Sequence, residues 1–431
     1  MPTDTEAAHR AIEALWRLES ARIIAGLAGL LRDVGLAEEL AQDALVAALE
    51  QWPTEGIPAN PGAWLMLTAK HRAIDRIRRN ERFGDKLNLL GRELEATQQN
   101  SAAEFDAVLD DEKIDDDLLR LMFISCHPVL STESRIALTL RLLGGLTTEE
   151  IARGFLGAEP TIAKRIVRAK RTLASKEIPF EVPPPAERPA RLASVLEVLY
   201  LVFNEGYSAT TGDDWMRPAL CTEALRLGRM LAELMPAEPE VHGLVALMEI
   251  QASRIPARLK RSGTPVPLIE QNRGRWDQLL IGRGFTALLR AERLGGPPGP
   301  YVLQAAIAAC HARARTAAET DWEKIATLYQ FLVALAPSPV IELNRAVAVA
   351  MADHPERGLE ITDGLAAEPA LAGYHHLPSV RGDLLAKLGR YAEAAEEFRR
   401  AASLTGNVPE RTLLLKRAAD CTAMTEPTDV I

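Results

Sequence analysis

The sequence predicts an all-α protein: two small helical domains, the second a helix-turn-helix, followed by a long helical-repeat solenoid. Two observations carry this. Alanine and leucine dominate and β-branched runs are short, so helix propensity is high along nearly the whole chain. The breaks are of the helix-ending kind: Gly144-Gly145, Leu156-Gly157-Ala158, and the proline-rich PFEVPPPAERP at 179–189. At 431 residues the chain is too long for one ordinary domain.

Composition narrows the function classes. With 47% hydrophobic and 25% charged residues, the profile is that of a folded, soluble chain. The longest apolar runs, such as residues 21–31, reach about half of the roughly 20 residues that a membrane span needs. MPTDTEAAHR has no basic segment leading into an apolar core, so no signal peptide is expected and a cytoplasmic location follows. Cys126, Cys221, Cys310 and Cys421 are scattered, with no CxxC pair, so neither a disulfide framework nor a zinc site is expected. There is no Gly-rich phosphate loop, HExxH or nucleophile motif, so no enzyme, catalytic residue, metal or cofactor is expected. The net charge of −9 argues against coating of nucleic acid by the whole chain, though not against local basic surfaces.

Five segments follow in order: helical block 8–80, polar connection 81–113, helical block 114–178, linker 179–189 and an Ala/Leu-rich remainder, 190–431. In the first block, residues 37–52 read as an amphipathic helix with Glu38, Glu39, Gln42 and Asp43 exposed together. Asn60-Pro61 supplies an N-cap and a first-turn proline for the next helix. Arg72, Arg76 and Arg79 then share one face, while Trp64, Leu67 and Ile74 point elsewhere. Trp64 reads as core before base stacking, and His71 as a polar surface residue, since nothing is spaced to make it a metal ligand. The connection is acidic, with eight carboxylates against Lys113 over 101–117.

In the second block, 131–143 reads as a helix ended by the glycine pair. Thr147-Thr148-Glu149-Glu150 is a capping box for a short helix, and another begins near Glu159-Pro160. Along that last helix Ile162, Ile166, Ala169 and Leu173 form one apolar stripe. Thr161, Lys164, Arg165, Arg168 and Thr172 lie on the other side, with Arg171 in the same basic run. A short helix, a tight turn and a helix with a basic outer face is the helix-turn-helix pattern, whose second helix enters the major groove.

The run GLAEELAQDALVAALEQWP…NPGAWLMLTAKHRAIDRIRR, joined to LTLRLLGGLTTEEIARGFLGAEPTIAKRIVRAKRTL, resembles bacterial sigma factors of the extracytoplasmic-function (ECF) group. His71 is a departure, since many relatives carry Asn there. The resemblance makes 8–80 sigma domain 2, 81–113 the acidic linker and 114–178 sigma domain 4. It implies core RNA polymerase and promoter DNA as partners. Glu38, Glu39, Gln42 and Asp43 would meet the polymerase. Trp64, Lys70, His71, Arg72, Asp75, Arg76 and Arg79 would serve the −10 element, held as single strand. Thr161, Lys164, Arg165, Arg168 and Arg171 would serve the −35 duplex.

In the remainder, Gly382, Gly389, Tyr391, Ala394, Phe398 and Ala401 match the small/aromatic spacing of a tetratricopeptide (TPR) repeat, whose period is about 34 residues. Ala346, Asp353 and Pro355 stand in similar places 36 residues earlier. LYLVFNEGYSAT (199–210), TDWEKIATLYQFL (320–332) and SPVIELNRAVAVA (338–350) resemble the ECF subgroup with a fused TPR-containing C-terminal domain. That resemblance implies a regulatory domain over 190–431 with an intramolecular or protein partner. NEGY (204–207) reads first as capping and second as a partner or ligand surface. Two rivals remain: a stand-alone helix-turn-helix regulator, which leaves the 37–80 pattern unexplained, and a TPR scaffold, against which the two basic helices count.

Overall fold

The computed structural model describes residues 4–79, 111–155, 157–209, 211–212, 214–261, 263–352 and 354–425. Among them the architecture is helical, with one two-stranded parallel pair. Most of the acidic connection and Asp353 lie outside the described residues. The chain divides into two compact units, 1–199 and 200–431.

The first unit begins with α1 (Asp4–Leu31), α2 (Val34–Glu55) and α3 (Pro61–Arg79), packed on one another. Each start has a local cause. Asp33 accepts from the Leu36 amide at 3.0 Å, and Asn60 accepts from the Ala63 amide at 3.1 Å, ahead of Pro61. Helix α4 (Asp111–Ser125) packs on α1. Gly29 permits this approach: a Cβ there would lie 2.4 Å from Asp117 Oδ2, and Asp117 is only 3% exposed. We predict that Gly29→Ala lowers stability by about 1–3 kcal/mol in urea melts, because a buried carboxylate has little room to retreat.

Helix α5 (Thr132–Leu142) starts at the Ser131 cap. It ends through Gly145, whose φ of +63° suits glycine, with the Leu146 amide donating back to Leu140 O at 3.1 Å. Helix α6 (Thr148–Gly154) opens on the full capping box of Thr147 and Glu150. Helix α7 (Glu159–Ser175) follows, with Ile162, Ile166, Ala169 and Leu173 buried. Helix α8 (Arg188–Tyr207) begins in the first unit. There Arg135 donates to Ser194 Oγ at 2.6 Å and pairs with Glu197 at 2.9 Å, while Ser194 Oγ donates to Cys126 O at 2.6 Å. The chain beyond the proline-rich segment therefore still contributes to the core of the helix-turn-helix block before the unit boundary at 199.

The second unit stacks α9 (Pro218–Leu234), α10 (Pro239–Ala252), α11 (Gln278–Leu294), α12 (Pro300–Arg313), α13 (Trp322–Leu335), α14 (Pro339–Met351), α15 (Pro355–Leu365), α16 (His376–Lys387), α17 (Tyr391–Leu404) and α18 (Val408–Thr425). Sequence neighbours pack on each other, and α10 is buried nearly all round between α9, α11 and α12. Gly382 lets α16 meet α17: a Cβ there would lie 2.8 Å from the Phe398 ring. Strands β1 (Thr211–Gly212) and β2 (Gly406–Asn407) pair in parallel, and the side-chain Nδ2 of Asn407 donates to Ala209 O and Asp214 O at 3.2 Å each.

Burial holds three histidines neutral. His127 is pushed down to about 4 by burial and then Arg191. His311 falls to about 3 by burial and then Arg254 and Arg273. His376 falls to about 4 by burial and then His375. The unfolded chain takes up these protons near pH 6.5, before the folded chain does. Stability is therefore full above that pH and drains away as pH falls toward about 4. At pH 5 His311 alone accounts for about 2 kcal/mol. Melting curves between pH 7 and 4.5 should show a falling Tm, and His311→Phe should flatten the slope.

Candidate nucleic-acid and polymerase interface

Three surfaces of the first unit carry the residues singled out above. On α7, Thr161, Lys164, Arg168 and Arg171 are exposed and Arg165 is half-buried, opposite the buried apolar stripe. A cationic face on a firmly seated helix can neutralise phosphates, and the residues in its first turns can reach base edges.

On α3, Asp75 and Arg76 are exposed, and Lys70, His71 and Arg72 are half-buried. His71 Nε2 is sealed from solvent without a hydrogen-bond partner. Trp64 packs edge-on against Trp52, with ring centroids 5.2 Å apart. Arg79 falls in the last turn of α3, and its side chain lies outside the described residues. Arg72 approaches Asp43 at 3.8 Å and Arg76 approaches Glu39 at 3.6 Å. All four side chains keep 38–56% of their surface exposed, so these pairs hold weakly and a nucleic acid or protein partner can compete for either side.

The third surface departs from expectation. Glu38 is not exposed alongside Glu39, Gln42 and Asp43; it is 3% exposed. Arg141 of α5 donates to Glu38 Oε1 at 2.6 Å, Lys170 of α7 pairs with Oε2, and Gln42 donates to the same carboxylate. The reason is tertiary: α5 and α7 arrive from more than a hundred residues away and cover that point of α2. Arg17 on α1 pairs with Glu150 on α6, a second tie between the same two blocks. Beside these ties an open groove of about 520 Å³ is lined by Gln42, Leu45, Val46 and Leu49 of α2.

Comparison with known sequences gives the arrangement its family. The Sigma-70 region 2 profile matches residues 15–83, and the Sigma-70, region 4 profile matches 120–173. ECF RNA polymerase sigma factor SigK of Mycobacterium ulcerans (strain Agy99) is 31% identical over 156 residues, covering 35% of this chain and 78% of the relative. The chain belongs to the ECF sigma-factor family. Sigma factors of this family are DNA-binding initiation factors rather than enzymes. The SigK of Mycobacterium sp. (strain KMS) is 27% identical over 160 residues, covering 36% of this chain and 77% of the relative. The likeness to both SigK proteins is confined to about a third of the chain. By contrast, the uncharacterized protein R00370 of Rhizobium meliloti (strain 1021) is 44% identical over 379 residues, 88% of each chain. A third profile, a family of unknown function (DUF6596), matches 191–292, so the sigma regions carry a distinct C-terminal extension.

In sigma-factor terms α1–α3 are region 2, and the end of α4 through α7 is region 4. Sequence reasoning missed Arg141 and Lys170 as partners of region 2. Lys170 sits beside Arg171 in the basic run of α7, and nothing in the local spacing tells that it turns away from the outer face to Glu38. No helix among the described residues is long and apolar enough to cross a membrane.

Proposed function

We infer that this sigma factor binds core RNA polymerase through α2, holds the single-stranded −10 element with α3 and reads the −35 duplex with α7. The observation that supports this most is the division of α7. Four apolar side chains are buried on one side and four polar or cationic ones are exposed on the other, behind a capped helix-turn-helix. Glu39, Gln42 and Asp43 are the polymerase-facing groups, and Glu38 joins them when its two cations let go. Lys70, Arg72, Arg76 and Arg79 hold phosphates of the −10 strand, with Trp64, His71 and Asp75 around the captured bases. Thr161, Lys164, Arg165, Arg168 and Arg171 face the −35 element.

Engagement requires the first unit to open. The two promoter elements lie roughly 25 base pairs apart, about 85 Å at about 3.4 Å per step. Regions held together by the Glu38 cluster and the Arg17–Glu150 pair do not span that distance. The contact of Glu38 with Arg141 and Lys170 is thus a property of the free protein and is lost on the promoter.

The second unit is read as a TPR-like regulatory stack with a protein or intramolecular partner. The tight Gly382–Phe398 approach between α16 and α17 supports that reading. The deciding experiment is transcription in vitro with core polymerase and genomic fragments. Starts behind a shared two-part promoter are expected, and failure both to bind core and to initiate would refute the proposal. A truncation that tests the second unit should end after Leu199, since one after Pro185 would strip Ser194 and Glu197 from region 4. A change in promoter-dependent initiation is expected, in either direction.

A further inference from the structure

The second unit holds two arginines, Arg254 and Arg258, that form no ion pair with a carboxylate among the described residues. After α10 the chain passes through a tight 3-10 turn at Ile255–Ala257 to Arg258, which is 5% exposed. Its guanidinium carbon stands 3.5 Å from the Tyr207 ring centroid and 4.5 Å from that of Trp215. Among the described residues the Arg258 side chain has no hydrogen bond and no ion pair, and its Nε is sealed from solvent. Arg254 lies alongside, 5.8 Å from Tyr207 and 5.6 Å from Trp276, with one long side-chain hydrogen bond, 3.4 Å, to Gln271. Arg273 is 8% exposed, lies 5.2 Å from Trp276, and donates to His311 O, Ala314 O and Thr320 Oγ1.

Neither Arg254 nor Arg258 pairs with a carboxylate among the described residues, whereas burial pulls Arg273 down and Glu319 raises it against that pull. Burial pulls the Arg254 guanidinium down; after that the Tyr207 phenol raises it and Arg258 and Arg273 lower it, with no carboxylate among them. Elsewhere in this unit the rule is the opposite. Arg229 has Glu249 at 2.7 Å, Arg217 has Glu205, and Arg381 has Asp363 and Glu397. A buried cation that lacks a counter-ion is strongly penalised, and aromatic faces satisfy the π side of a guanidinium but none of its N–H donors. Such an unsatisfied group calls for an ion that completes it.

We propose that Arg254 and Arg258, clamped by Tyr207, Trp215 and Trp276, form a binding site for a small oxyanion, a phosphate- or carboxylate-bearing molecule. The planar guanidinium fork matches the paired oxygens of either group, and the aromatic walls fix its plane before the ligand arrives. Arg273 adds positive potential while its own donors cross-link the surrounding loops. All these residues fall within 191–292, the stretch matched by the C-terminal family profile, so the site gives that extension a ligand to sense. It rests on the second unit alone and stands whether or not the sigma-factor reading of the first holds.

The test is calorimetric titration and thermal unfolding of the full-length protein with inorganic phosphate and, separately, citrate, at ionic strength held constant with sodium chloride. A Tm rise of about a few degrees with either anion over chloride is expected. Phosphate alone acting would assign a phosphate-bearing ligand, and citrate alone a carboxylate. Arg258→Met should weaken binding at least tenfold. Arg258→Lys keeps the charge without the fork and should weaken it too, which covers the case of a poorly folding Met variant. Arg283→Met, at an exposed position on α11, should bind normally. No preference for either anion over chloride, or undiminished binding in both Arg258 variants, would overturn the proposal.

Discussion

With Arg141 and Lys170 both changed to Met, free protein should lose the contact between regions 2 and 4 and bind core polymerase at least tenfold more tightly. Glu38 keeps 4% of its side-chain surface, and its two cations 23% each, so water screens the cluster little. Taking both partners away strands a carboxylate in the interior, which costs several kcal/mol for as long as the unit stays closed. Opening returns Glu38 to water, so the closed state alone is penalised. Apparent affinity for core then rises with the fraction of protein that is binding-competent, and tenfold corresponds to about 1.4 kcal/mol. Energy transfer between dyes on α3 and α6 should fall in the double variant, and a core titration should show the gain. Glu38→Gln separates two roles. It also loosens the contact, but if Glu38 itself meets the polymerase, the gain in affinity will be smaller than in the double variant. Unchanged energy transfer together with unchanged affinity would mean that these ion pairs do not hold the unit closed.

What the sequence disclosed and what it hid divide along a physical line. The Asn60 and Thr147 caps, Gly145 and the α7 stripe are set by residues within one or two turns, and each was legible from spacing alone. Glu38 was not. On an isolated α2 it shares a polar face with Glu39 and Gln42, and only the arrival of α5 and α7 makes it interior. The proline-rich 179–189 segment reads as a division between domains, yet Ser194 and Glu197 beyond it pack against Arg135, a contact across about sixty residues that no local pattern announces. The cluster at Arg254 and Arg258 was hidden for a different reason. Arginines are common in this chain, and what sets these apart is that neither has a carboxylate partner among the described residues, which only the fold reveals. NEGY reads first as capping and second as a partner or ligand surface, and its Tyr207 faces the Arg258 of the proposed site.

Lys164 and Arg168 bear on the recognition helix itself. If α7 lies in the major groove, Arg168→Ala should weaken binding to a −35 duplex to a similar degree whatever the sequence. It should also lower the slope of log K against log salt by about 0.9, one phosphate contact's share of released counter-ions. Lys164→Ala should behave likewise, and the double variant should lose about twice the slope. Thr161, in the first turn, should instead alter which duplexes are preferred while leaving the salt slope nearly intact, because base contacts release no counter-ions. Both cations are exposed, so circular dichroism and Tm should stay at wild-type values. Ile166→Ala is the counter-case. Ile166 is 5% exposed, and its loss should cost about 2–5 kcal/mol of stability, with DNA binding failing because the helix is no longer seated. A slope unchanged in the Lys164/Arg168 double variant, measured on folded protein, would remove this face of α7 from the DNA and with it the strongest support for promoter reading by region 4.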